Sequence, residues 1–192
     1  KLPADWRIQQ DSVAKVPNRP PLDSLGPFRW KPLPAPSWKL PDSTGKARSL
    51  ADYEGRPVLV IFYLGFGCLH CVEQLHAFSP RVEEFRKAGI ELVAVSTETA
   101  CELEEGLAEY RKDGKDIAFP LLSDESLATF KAYRAHDGFE DVPLHGTFLI
   151  DAAGDVRWQD ISYEPFTDVD FLLGEARRLL GAKPDDTTLG AK

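Results

Sequence analysis

A seven-residue apolar run, Val58-Leu59-Val60-Ile61-Phe62-Tyr63-Leu64, stops at Gly65-Phe66-Gly67 and gives way to an amphipathic pattern. No other feature constrains the fold as much as this junction. The run is β-branched and aromatic without polar alternation, which predicts a strand buried on both faces. Beyond the glycines, Leu69, Val72, Leu75, Phe78, Val82 and Phe85 recur at helical spacing, which predicts a helix.

That helix opens on Cys68-Leu69-His70-Cys71. A cysteine pair at a helix N-terminus meets the positive end of the macrodipole and unpaired backbone N–H groups, both of which favour thiolate. Two intervening residues let the sulfurs meet within one turn. The pattern predicts thiol–disulfide chemistry carried by Cys68 and Cys71.

Composition narrows the alternatives. With 192 residues, 43% hydrophobic and 28% charged, the chain can bury one globular domain and has some residues to spare. A net charge of −8 with no basic run argues against nucleic acid as a partner, and no apolar stretch is long enough to span a bilayer. Three cysteines, two of them in one CxxC, read as reactive rather than as a disulfide scaffold. The chain begins on Lys1 and holds no Met, which reads as a fragment or a processed product. Cytoplasmic and extracytoplasmic locations both stay open.

Residues 1–36 contain eight of the fifteen prolines and no sustained periodicity, the mark of an extended arm or linker. Within it Trp6, Phe28 and Trp30 are expected to pack down. A domain is expected over 37–181 and a frayed tail over 182–192. In the domain, Trp38-Lys39-Leu40 and Ala47 to Leu50 read as short strands around a turn. Ile90 to Val95 reads as a strand, Leu103, Leu107 and Tyr110 as a helix, and Ile117 to Leu122 as a further strand. Asp124 can cap a helix carrying Leu127, Phe130 and Tyr133. Thr147 to Ile150 and Val156 to Trp158 flank Asp151-Ala152-Ala153-Gly154, a hairpin signal. Asp168 opens a last helix that Gly181 ends. Alternating strands and helices, then a hairpin and a closing helix, predict an α/β fold with a mixed central sheet flanked by helices.

The residues Ala35-Pro36, Leu40-Pro41-Asp42, Gly45, Leu50-Ala51-Asp52-Tyr53, Gly55 and Val58 to Tyr63, with the cysteines, Val93 to Ser96, Gly146 to Asp151, Gly154 and Trp158, form a joint pattern. It resembles the thioredoxin-like superfamily in its AhpC/TSA (redoxin, peroxiredoxin-like) branch, over roughly residues 35 to 180. The resemblance implies a thioredoxin-like fold with the CxxC at the start of the first core helix. It also implies a thiol-dependent antioxidant enzyme that reduces hydroperoxide, is recycled by a dithiol reductant such as a thioredoxin-like protein, and needs no cofactor beyond its cysteines.

Two patterns within the superfamily assign the cysteines differently. Laid over Phe62-Tyr63, the peroxiredoxin loop Pro-x-x-x-Thr-x-x-Cys puts the peroxide-attacking position at Cys71 and the Thr position at Cys68. The Pro position falls on Leu64, and the position of the supporting Arg on His145. The thioredoxin-type oxidoreductases, which act on protein disulfides, make Cys68 the nucleophile and Cys71 the resolving thiol. Their cis-proline place before the Thr of the facing strand is taken by His145-Gly146-Thr147. His70 matches the second intervening position of periplasmic dithiol oxidases, where an imidazole stabilises thiolate. His145 is expected to face the pair as a thiolate partner or proton carrier. Cys101 reads as a semi-buried spectator, His76 as a core-edge residue, and Glu73 and Gln74 as part of a solvated helix face. A third reading is copper delivery, with Cys68, Cys71 and His145 as a soft S₂N set, although copper chaperones on this fold resemble one another in a CxxxC spacing.

Overall fold

The computed structural model describes residues 32–112 and 114–181. Among the described residues nine strands follow in order, β1 (Lys39–Pro41), β2 (Ala47–Ser49), β3 (Val58–Tyr63), β4 (Glu91–Ser96), β5 (Leu121–Ser123), β6 (His136–Asp137), β7 (Val142–Pro143), β8 (His145–Ile150) and β9 (Val156–Ser162). The helices are α1 (Leu69–Phe78), α2 (Val82–Lys87), α3 (Ala100–Lys112), α4 (Ala128–Ala132) and α5 (Val169–Leu179). The central sheet has the order β5-β4-β3-β8-β9. Its first three strands are parallel, and β8 and β9 close it antiparallel. This is the mixed, helix-flanked sheet that the sequence predicts.

Strand β3 lies in the middle and all six of its residues are buried. Its alternate side chains serve two cores. Leu59, Ile61 and Tyr63 join Leu75, Phe78 and Phe85 below α1 and α2, with Leu103 of α3 and Leu172 of α5. Val58, Val60 and Phe62 join Trp38, Phe130, Tyr133 and Phe148 on the other face. Because both faces are covered, an uninterrupted apolar run is what this position needs.

Several local expectations are corrected. The helix after Cys68 does not continue to Phe85; α1 ends at Phe78, a 3₁₀ turn spans Ser79–Arg81, and α2 follows. Pro80 has no N–H for the helical ladder, so the axis is broken there although the apolar spacing persists. The strand expected over Ile117 to Leu122 is limited to Leu121–Ser123. Leu127 is not helical but sits at φ 56°, just before α4. Asp124 still caps, because its Oδ2 accepts the N–H groups of Thr129 at 2.8 Å and Phe130 at 3.0 Å. The sequence carries no signal for the small β6–β7 hairpin, since two-residue strands have no periodicity.

The Asp168 cap is present, its carboxylate accepting the Phe171 N–H at 3.0 Å, and Gly181 takes positive φ after α5. Residues 1–31, with Trp6, Phe28 and Trp30, and the tail 182–192 lie outside the described residues. Leu33 to Ala35 run beside the β8–β9 turn, with Val156 N–H donating to the Leu33 carbonyl and Ala35 N–H to that of Gly154. Among the described residues no helix is long and apolar enough to cross a membrane.

Candidate active site

The site is assembled where β3 ends. Tyr63 is the last strand residue, and Leu64 to Gly67 turn the chain into α1 with Gly65 at φ 116°. Cys68 is the N-cap of α1, and its Sγ accepts the Cys71 N–H at 3.3 Å. A sulfur thus fills the role that a Ser or Asp oxygen takes at an ordinary helix start. Cys71, one turn along, points inward and is fully buried.

Strand β8 supplies the opposite wall. It pairs antiparallel with β3 in a register that sets Phe62 against Gly146 and Ile61 against Thr147. Alternation then sends His145, Thr147 and Leu149 to the α1 side of the sheet. His145, 5% exposed, brings Nε2 to 3.1 Å from Cys71 Sγ and 3.9 Å from Cys68 Sγ. The three donor atoms lie within 4.8 Å of one another.

The electrostatics of the two buried groups follow from desolvation. Burial, and next to it the contact with Cys68, pushes the Cys71 thiol well above the ordinary thiol range, and the Leu64 N–H bonded to its Sγ at 3.3 Å only partly opposes this. Burial also holds His145 below the ordinary imidazole range, against the opposing pull of the Tyr163 backbone and the Glu164 carboxylate. The imidazole is therefore neutral at neutral pH, and its Nε2 lies at hydrogen-bond distance from the Cys71 sulfur. All three cysteines are unpaired thiols; Cys68 is half-exposed and Cys101 is exposed.

His70 lies outward, its Nδ1 at 3.1 Å from Glu73 Oε2, and it bonds to that carboxylate rather than to a sulfur. Cys101 is not semi-buried: it sits exposed at the start of α3, where Glu105 above all holds its thiol up. His76 packs edge-on against the Tyr110 ring at 5.1 Å. Gln74, expected on the solvated face, is fully buried. Its Nε2 donates to the Phe166 carbonyl at 2.9 Å and to Thr147 Oγ1 at 3.3 Å, which ties α1 to β8 one turn below Cys71. The signal was available, because Cys71, Gln74, Leu75 and Phe78 follow the i, i+3, i+4, i+7 spacing of a buried face. Glu98, just past β4, had no such signal, yet its Oε1 accepts the Phe66 N–H at 2.9 Å within the turn before Cys68.

This arrangement offers an accessible sulfur at a helix cap, a second sulfur behind it and a neutral imidazole touching the second. It can form and break a disulfide, two electrons and two protons leaving the sulfurs on oxidation and returning on reduction. Comparison with known proteins gives the family. The AhpC/TSA family model matches residues 33–159. A chloroplastic peroxiredoxin Q of Oryza sativa subsp. japonica is 34% identical over 125 residues, which are 65% of this chain and 55% of that protein. A Mycobacterium tuberculosis protein named as a peroxiredoxin is 34% identical over 128 residues, 64% of this chain and 78% of its own length. Among solved structures, a peroxidoxin from Mycobacterium tuberculosis superposes with a TM-score of 0.65 at 25% identity, covering 80% of this chain and 97% of that one. The chain thus spans about half the length of the plant relative and most of the mycobacterial ones. With two thirds of its residues inside one family model and its cysteine pair at the strand-to-helix junction, the chain belongs to the AhpC/TSA family.

Proposed function

We propose that this chain is a thiol peroxidase that reduces a hydroperoxide with Cys68 and is resolved by Cys71. The observation that carries the reading is the split in exposure between two sulfurs held on one imidazole: Cys68 is half-exposed, Cys71 is buried and His145 touches both. Cys68 thiolate attacks the terminal peroxide oxygen, the O–O bond breaks, and the alcohol leaves after taking up a proton. Cys68 is then a sulfenic acid. Cys71 passes its proton to His145 Nε2 and attacks the Cys68 sulfur, and the departing hydroxide takes that proton as water. The balance is one hydroperoxide and two thiols to one alcohol, one water and one disulfide.

A dithiol protein of the thioredoxin-like class would then reduce the disulfide by attacking Cys68, the accessible sulfur. Leu69 beside it is 70% exposed and leaves room for such a partner. This order of events reverses the one that the peroxiredoxin loop implies, and burial of Cys71 is the reason. His70, exposed on Glu73, would act on the thiols only through solvent.

Stopped-flow mixing of the reduced protein with hydrogen peroxide, with a mass-spectrometric count of thiols, tests the reading. The expected result is oxidation orders of magnitude faster than that of free cysteine, with two thiols lost per peroxide. A rate equal to that of free cysteine would leave the pair as an exchange site for protein disulfides.

One observation favours a second reading. Two sulfurs and an imidazole nitrogen within 4.8 Å are the donors that Cu(I) prefers, and they can supply its three-coordinate set. In that reading the protein, purified under reducing conditions, retains one copper per chain and loses it in Cys68→Ser and His145→Ala. Copper no higher than in those variants rules the reading out.

A further inference from the structure

We propose that Glu98 is a positioning residue that holds the turn before Cys68 in its dithiol arrangement and so sets the dithiol–disulfide equilibrium; this rests on the Cys68–Cys71 redox cycle above. Glu98 follows β4, the strand beside β3. Its half-buried carboxylate reaches across to the neighbouring turn. Oε1 accepts the Phe66 N–H and Oε2 accepts the Ser96 hydroxyl, each at 2.9 Å. The Ser96 hydroxyl in turn accepts the Glu98 N–H at 3.1 Å, and Ser123 Oγ donates to the Glu98 carbonyl at 2.6 Å. Thr97 adds a second brace, donating to the Leu64 carbonyl at 2.9 Å.

The braced turn is the one that presents backbone groups to both cysteines. The Leu64 N–H bonds Cys71 Sγ at 3.3 Å, and the Gly65 carbonyl accepts the Cys68 N–H at 3.2 Å. Gly65 fits the carboxylate closely: a Cβ there would stand 2.7 Å from Glu98 Cδ, and its φ of +116° disfavours any side chain. A carboxylate on a backbone N–H makes a charge-assisted bond, stronger than a neutral one. It is placed where the N–H would otherwise be left in a half-buried turn.

Disulfide formation draws the two sulfurs to about 2.05 Å and disturbs the contacts that the turn makes with them. The Leu64 N–H that bonds Cys71 Sγ belongs to this turn, so a carboxylate that holds the turn in its present arrangement favours the dithiol over the disulfide. The step measured is protein dithiol plus oxidised dithiothreitol going to protein disulfide plus reduced dithiothreitol, two electrons and two protons passing between the pairs.

The test equilibrates wild type, Glu98→Ala and Glu98→Gln with dithiothreitol redox buffers and counts free thiols. Glu98→Ala is expected to shift the equilibrium at least fivefold toward the disulfide. Glu98→Gln, whose amide oxygen can still accept from Phe66 but without the charge, is expected to fall between wild type and Glu98→Ala. If Glu98→Ala does not fold, Glu98→Asp, which withdraws the carboxylate by one methylene, carries the same expectation as Ala. A shift below twofold in the Ala or Asp variant, a shift toward the dithiol, or a Gln variant displaced as far as Ala each overturns the proposal. A wild type that forms no Cys68–Cys71 disulfide at any buffer ratio overturns the redox cycle itself, which separates the two failures.

Discussion

Cys68→Ser is expected to abolish peroxide turnover, with kcat/KM lowered by about 10³-fold or more, as is usual when a catalytic nucleophile is removed. Cys71→Ser is expected to behave differently. Its half-exposed Cys68 still meets peroxide, so the first oxidation proceeds and one oxygen is added to the protein. Turnover then stalls, because no second sulfur can displace hydroxide from the sulfenic acid. Intact-mass measurement and labelling by a sulfenic-acid-specific dione distinguish the two variants within one turnover. The reverse outcome, a labelled Cys68→Ser and an inert Cys71→Ser, would make Cys71 the attacking sulfur. The buried sulfur would then have to become exposed before each reaction, and the roles assigned above would exchange.

His145→Gln is expected to slow the second step, sulfenic acid to disulfide, by about 10²- to 10⁴-fold, the range of general-base contributions. Peroxide attack at Cys68 persists in this variant. The pH dependence has a definite sign. His145 lies below the ordinary imidazole range because it is buried, so it is neutral and able to accept a proton until the pH falls through that lowered value. In wild type the second step therefore holds its rate near neutrality and fails on the acid side. In His145→Gln that acid limb is lost. The rate rises only toward alkaline pH, where Cys71, held high by its burial, ionises unaided. Single-turnover rates across pH check this, and an unchanged acid limb in the variant would reduce His145 to a packing residue.

The two faces of the sheet explain why so much of the scaffold was legible. Val58 to Tyr63 are all buried, and an unbroken apolar run is the direct imprint of a strand covered on both sides. The Asp168 cap, the Asp151–Gly154 turn and the glycines after Leu64 act within a few residues, so their identity and spacing carry the signal. Local spacing misled where one residue overrode a pattern. Pro80 broke a helix whose apolar period ran on to Phe85, and Gln74 occupied a buried position that its polarity disguised.

What the sequence determined by itself was the junction: a central strand, a sharp turn and two sulfurs within one helical turn, because each depends on neighbours in the chain. The tertiary structure decided which sulfur faces solvent and which groups reach the pair. His145 is 74 residues from Cys71 and Glu98 is 32 from Phe66. Their contacts depend on β8 pairing with one side of β3 and β4 with the other, and no local pattern encodes that register. Exposure of Cys68 and burial of Cys71 likewise follow from how α1 seats against the sheet, where hydrophobic packing over the whole domain fixes the rotation of the helix.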